Sequence, residues 1–189
     1  MDLFKIIAWS ATLLFIGLSL AGARSGSTYT FSFLFLGALL WLVYGLRQRM
    51  FLHPLHFALF ATALILHDLG TFGFYKRTLF NLQFDVYVHF YFGLVGGLML
   101  CRAFSYNYHL SGWRLWLAVT VFLLGFGAIH ELIEWASTLV LGPGRGMLKL
   151  RADDPFDTQE DLFNNLLGGI LALTLYALPR KKSPPPTFL

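Results

Sequence analysis

Long apolar runs alternate with short polar stretches along the whole chain, and each run approaches the roughly 20 residues that an α-helix needs to cross the hydrocarbon of a bilayer. Bounded by charges and turn residues, these runs predict helices over about Leu3–Ala23, Tyr29–Leu46, Leu52–Leu69, Asp85–Phe104, Trp113–Leu141 and Asp161–Leu178. The fifth is long enough to tilt or to protrude. The polar-aromatic stretch Thr71–Phe84 is too short to span and is expected to lie along the interface or to re-enter. Met1–Gly22 has the look of a signal peptide, but the absence of a following soluble domain favours a first transmembrane helix. The pattern thus predicts an all-α, polytopic transmembrane helix bundle of about six spans. It forms a single integral membrane domain over residues 1–182, with a disordered Pro-rich tail over 183–189.

Composition supports a bilayer as the main partner. Of 189 residues, 57% are hydrophobic and 13% charged, about half the charged share of a soluble domain. Cys101, the sole cysteine, excludes an internal disulfide or a multi-cysteine metal site and is expected to be a small packed side chain. The net charge of +4 comes without a basic face or nucleic-acid motif, so no nucleic-acid partner is expected, and the oligomeric state is left open. Lys5, Arg47, Arg49, Arg102, Arg114, Arg180, Lys181 and Lys182 fall on one side of the bundle. Arg24, Lys76, Arg77, Arg145, Lys149 and Arg151 fall on the other. The excess on the first side places both termini in the cytoplasm.

Polar groups interrupt this pattern at His67-Asp68, Asp85 with His89, His130-Glu131 with Glu134, Asp157 with Asp161, and Asn164-Asn165. A charge in hydrocarbon costs at least a few kcal/mol, so each cluster is a candidate functional site. The alternation of spans puts all of them toward the outer leaflet, and they stay together even if the orientation is inverted. Asp85/His89, His130/Glu134 and Asp157/Asp161 are each four apart and so share a helical face. Acids and imidazoles spaced this way on facing helices are how bundles build metal sites. The mixed ligands suit zinc, manganese or iron, and the Asp-rich subsets suit magnesium or calcium.

Milder readings stand beside this one. Asp157 fits a capping box with Glu160, Thr158 with Asp161 offers a second frame, and Asp85 can cap the fourth helix. The His/acid pairs can lock helices together without further chemistry, or pass protons. Gly93 and Gly97 form a small-xxx-small pair suited to close packing. Gly142-Pro143-Gly144-Arg145-Gly146 is a loop signal without the context of a phosphate loop. Arg145, Lys149 and Arg151 can attract an anionic headgroup or substrate. His53 and His56 read as interfacial or packed, and His109 as a loop residue.

His67-Asp68-Leu69-Gly70, the run Phe84–Gly93, Glu131-Leu132-Ile133-Glu134-Trp135 and Asp157–Asp161 together resemble the YjdF-like bacterial inner-membrane proteins. The ending Asp161–Gly168 is similar to the VanZ-like family, implicated in glycopeptide tolerance. The resemblance covers about Leu66–Ile170 and implies a multi-pass protein of the bacterial cytoplasmic (inner) membrane, without supplying a reaction. Its motif residues carry over onto His67, Asp85, His89, Glu131, Glu134, Asp157 and Asp161. It favours Glu131/Glu134 over His130/Glu134 as the working face of the fifth helix.

The resulting expectation is a metal-dependent membrane hydrolase or transferase acting on a lipid-linked or envelope substrate. Asp85, His89, Glu134, Asp157 and Asp161 hold a divalent metal (zinc, manganese, iron or magnesium). Glu131 or His67 serves as general base, and Asn164, Asn165 and Arg145 bind substrate. The alternatives are a small proton-coupled transporter and a non-catalytic membrane subunit whose polar network is structural.

Overall fold

The computed structural model describes residues 2–24, 32–142 and 156–178. Six α-helices lie among them: α1 (Leu3–Arg24), α2 (Ser32–Leu46), α3 (Pro54–Thr71), α4 (Phe84–Tyr108), α5 (Gly112–Leu141) and α6 (Asp157–Ala177). Helices α1, α4 and α5 are long and apolar enough to cross a membrane by length and composition. Helices α2 and α3 are apolar but shorter, and the acids and amides in the first turns of α6 keep that helix less apolar. The fold is therefore an all-α helical bundle with three to six crossings. Its outward surface suits lipid, because large side chains such as Leu13, Trp113, Leu117 and Val140 are more than half exposed there.

Local chemistry explains two of the helix ends. Pro54 sits at the start of α3, where its missing N–H costs nothing. The His53 imidazole accepts from the Leu55 amide at 3.2 Å, so His53 caps that helix. Helix α4 ends at His109, which adopts the left-handed conformation with φ 52°. The stretch between α3 and α4 is a 3-10 turn, Phe74–Lys76, followed by a two-residue-strand hairpin, β1 (Thr78–Leu79) paired antiparallel with β2 (Leu82–Gln83). The Tyr87 hydroxyl donates to the Leu79 carbonyl at 2.7 Å and ties the hairpin to α4.

Two capping expectations are corrected. The N-cap of α6 is Phe156 and that of α4 is Gln83, neither with a side-chain cap bond. Asp157 and Asp85 instead lie inside the first turns, past the cap positions, with their side chains buried in the bundle. Because α6 starts at Asp157, four residues earlier than the hydropathy pattern indicates, both of its aspartates ride on one helix. Cys101 is fully buried, as a small packed side chain should be. Arg145, Lys149, Arg151 and the 183–189 tail lie outside the described residues.

Helix α4 is the centre of the bundle, flanked by α3, α5 and α6. Its closest neighbour is α6, where glycines let the two backbones meet. A methyl group added at Gly93 would overlap the Asn165 carbonyl, and one at Gly168 would overlap the backbone of Phe90 and Leu94. At Gly97 it would lie 2.7 Å from the Ala172 methyl. The small-xxx-small pair thus serves packing against α6. Gly168→Ala should lower the thermal midpoint of the detergent-solubilised protein by an amount matching at least the ~1–3 kcal/mol typical of overpacking. Gly17→Ala, where an added methyl meets nothing within 4 Å, should stay near wild type. Equal midpoints for the two variants would rule out so close a helix contact.

Candidate functional site

The contact between α4 and α6 sets Asp85 and His89 against Asp161. His89 Nε2 lies 3.6 Å from Asp85 Oδ1, one turn away on the same helix, and 3.3 Å from Asp161 Oδ2 across the interface. The other ring nitrogen, Nδ1, is 3.4 Å from the Asn165 side-chain amide nitrogen. With that amide donating, the imidazole carries its proton on Nε2, facing the carboxylates. Turning the amide end for end would present its oxygen to an Nδ1–H and leave Nε2 with a free lone pair.

Helix α5 brings a second set. His130 Nε2 is 3.2 Å from Glu134 Oε1, and its ring stands edge-on to those of His67, at 5.1 Å between centroids, and His89, at 6.1 Å. Two groups of potential ligand atoms result, Asp85/His89/Asp161 and His67/His130/Glu134, each with its atoms within 4.8 Å of one another. A cavity of about 10 Å³ is lined by five of these six residues, all but His130, together with Tyr75 and Asp157. That is close to the smallest space that holds one water.

Tyr75 completes the centre from the stretch between α3 and α4. Its hydroxyl lies 2.6 Å from His67 Nδ1 and 3.3 Å from the His67 carbonyl oxygen. Burial, followed by the negative charges of Asp85, Glu134, Asp161 and Asp68, pushes this hydroxyl well above the usual tyrosine range, so it stays protonated and can donate. If it donates to the carbonyl, it accepts from an Nδ1–H, and His67 Nε2 is left with its lone pair. That Nε2 is buried and has no hydrogen-bond partner among the described residues. Gly70 makes the seat possible, since a methyl group there would overlap the Tyr75 ring.

The structure gathers Asp85, His89, Glu134, Asp157, Asp161 and His67 around one cavity. Asn165 supports His89, whereas Asn164 is buried on α6 without lining that cavity. Glu131 is also buried beside it, but its Oε2 accepts from Thr158 Oγ1 on α6 at 2.9 Å. His130 and Glu134, four apart, meet the centre, while Glu131 turns toward Thr158. Asp68 points elsewhere and accepts from Ser32 Oγ of α2 at 2.7 Å. Tyr75 was missed. Its only signal was its place in a polar-aromatic stretch flanked by His67-Asp68 and Asp85.

Comparison with known proteins gives a family and little chemistry. The family described as "Predicted membrane protein (DUF2238)" matches residues 3–182. The Inner membrane protein YjdF of Escherichia coli (strain K12) is 30% identical over 95 residues. That segment is 50% of this chain and 46% of the relative, so the match spans about half the length of each. No solved structure matches. The likeness of Asp161–Gly168 to the VanZ-like family stands on its motif alone.

The seat of Tyr75 can be tested directly. Tyr75→Phe removes the hydroxyl's buried hydrogen bonds to His67 and should lower stability by ~1–2 kcal/mol. Gly70→Ala, which displaces the whole ring, should cost more. Thermal midpoints in the reverse order would mean that the ring is not seated against Gly70.

Proposed function

We propose that this chain, which belongs to the DUF2238 family of predicted membrane proteins, is a metal-dependent membrane hydrolase or group transferase acting on a lipid-linked or envelope substrate. The observation that carries this reading is the pair of ligand triads, Asp85/His89/Asp161 and His67/His130/Glu134, of which every member but His130 lines one water-sized cavity. Four carboxyl groups, those of Asp85, Glu134, Asp157 and Asp161, converge there with two imidazoles. Leaving such groups ionised away from water costs several kcal/mol each unless they are paired. One or two divalent cations would neutralise them, and zinc, manganese, iron or magnesium fits the mixture of nitrogen and oxygen ligands.

Asp85, His89 and Asp161 would hold such a cation, with Glu134 and Asp157 close enough to join. The bound cation would polarise a phosphoryl or carbonyl oxygen and lower the pKa of a water. With Tyr75 accepting from its Nδ1–H, His67 would be the group best placed to accept a proton from that water, since it lines the cavity and its buried Nε2 has no hydrogen-bond partner among the described residues. Tyr75 would fix its ring for that task. Glu131, held by Thr158, would act on the position of α6 and not on the reacting atoms. Asn165 would orient His89. The relative's name supports placing the chain in a bacterial inner membrane, and the distribution of Lys and Arg supports cytoplasmic termini.

Elemental analysis of the detergent-purified protein tests this reading. A near-stoichiometric divalent metal is expected in the wild type and should be lost from Asp85→Ala and Asp161→Ala. The proposal fails if the wild type carries none and an Asp85→Asn/Asp161→Asn double variant keeps full cellular activity. In that event, solute flux into proteoliposomes that depends on Glu134 would establish a proton-coupled carrier instead.

A further inference from the structure

A second, much larger cavity of about 420 Å³ opens directly off the polar centre. His67 and His89 line both cavities, and His130 and Asn165 stand with them at the same end of the larger one. Beyond that end the walls are aliphatic and aromatic. Along α4 the lining runs from Val88 to Leu100, a length of ~18 Å at 1.5 Å per residue. On α2 it runs from Phe35 to Leu46, toward the opposite end of the bundle from His67. The cavity therefore has one polar end and one long apolar arm, comparable in length to half of the ~30 Å hydrocarbon thickness of a bilayer.

The arm also has a side opening. Helix α2 packs on α1 and α3, and α5 packs on α4 and α6, with the cavity between the two groups. Leu42 of α2 and Phe126 and Ile129 of α5 line it while remaining 58%, 57% and 52% exposed. These residues face the lipid and the cavity at once. A space of this size within an apolar wall forfeits dispersion contacts if left empty, and its volume lies within the ~300–1,000 Å³ typical of ligand pockets. In a membrane, such an opening between described helices faces the lipid chains.

We propose that this cavity holds the acyl chain of a membrane lipid, admitted sideways between α2 and α5, with the lipid's polar head brought to His67, His89 and His130. The site then acts on, or is regulated by, a lipid that stays in its own leaflet. Burial of the chain is independent of the metal. Only the role of the headgroup as the reacting part rests on the enzyme reading above.

A phosphatidylethanolamine with a photoactivatable diazirine in its acyl chain, reconstituted with the protein into proteoliposomes, provides the probe. After irradiation, labelled positions are read by mass spectrometry. Met99, only 4% exposed but lining the cavity, should be labelled. Leu13, 66% exposed on α1, reports contact with bulk lipid. Filling the arm from either wall, with Leu39→Trp or with Ile133→Trp, should reduce label at Met99 at least fivefold and leave Leu13 unchanged. An unlabelled Met99 in the wild type, or label that survives both tryptophans, overturns the proposal. Metal analysis of the same preparations separates the two readings. Label without metal keeps the lipid cavity and removes the enzyme, whereas metal without label does the reverse.

Discussion

At Gly93 and Gly168 the backbones of α4 and α6 touch, with no room for a methyl group on either side. This contact sets the distance and rotation of the two helices that carry Asp85, His89, Asp157, Asp161 and Asn165. With the axes so close, a short aspartate on α6 reaches an imidazole on α4 at 3.3 Å. A larger side chain at either glycine would push the helices apart and separate these groups by more than a hydrogen bond can bridge. The other elements are arranged around this pair, α5 adding His130 and Glu134 and α3 adding His67.

Burying so many ionisable groups together works against stability, so their convergence calls for compensation. Part of it is visible in the fold. Thr158 donates to Glu131, Ser32 to Asp68, and Asn165 and Tyr75 hold the two imidazoles. Tyr75 closes the centre on one side, and the long apolar cavity meets it from another. On the proposed reading, a polar centre opening into a lipid-sized space would suit an amphiphile better than a freely dissolved solute.

Several features could be read from the chain itself. Helix number and approximate bounds follow from hydropathy, because a membrane helix must satisfy its backbone internally and present apolar side chains. The order of spans places His67, Asp85, Glu134 and Asp161 at one end of the bundle, since successive helices run in alternate directions. Four-residue spacings put Asp85 with His89 and His130 with Glu134, because that interval is a fixed property of the α-helix. Gly93 and Gly97 pointed to a close partner but did not identify α6 as that partner.

Other features depended on how the helices turn and meet. Spacing fixes which residues share a face, but the direction of that face is set by the rotation of each helix against its neighbours. His130 and Glu131 are adjacent in sequence, about 100° apart around α5 on a 3.6-residue turn, and only packing decided that His130 meets the centre while Glu131 meets Thr158. Likewise the bundle sent Asp68 to Ser32 and brought in Tyr75 from a stretch with no helical periodicity. The apolar cavity is the clearest case, since it is the space left between α2 and α5 by residues far apart in the chain. The sequence by itself determined the helices, their order and the faces of each polar pair, because these depend on local periodicity and the bilayer. Tertiary structure alone decided which faces converge and where space is left, because those depend on backbone contacts between helices distant in sequence.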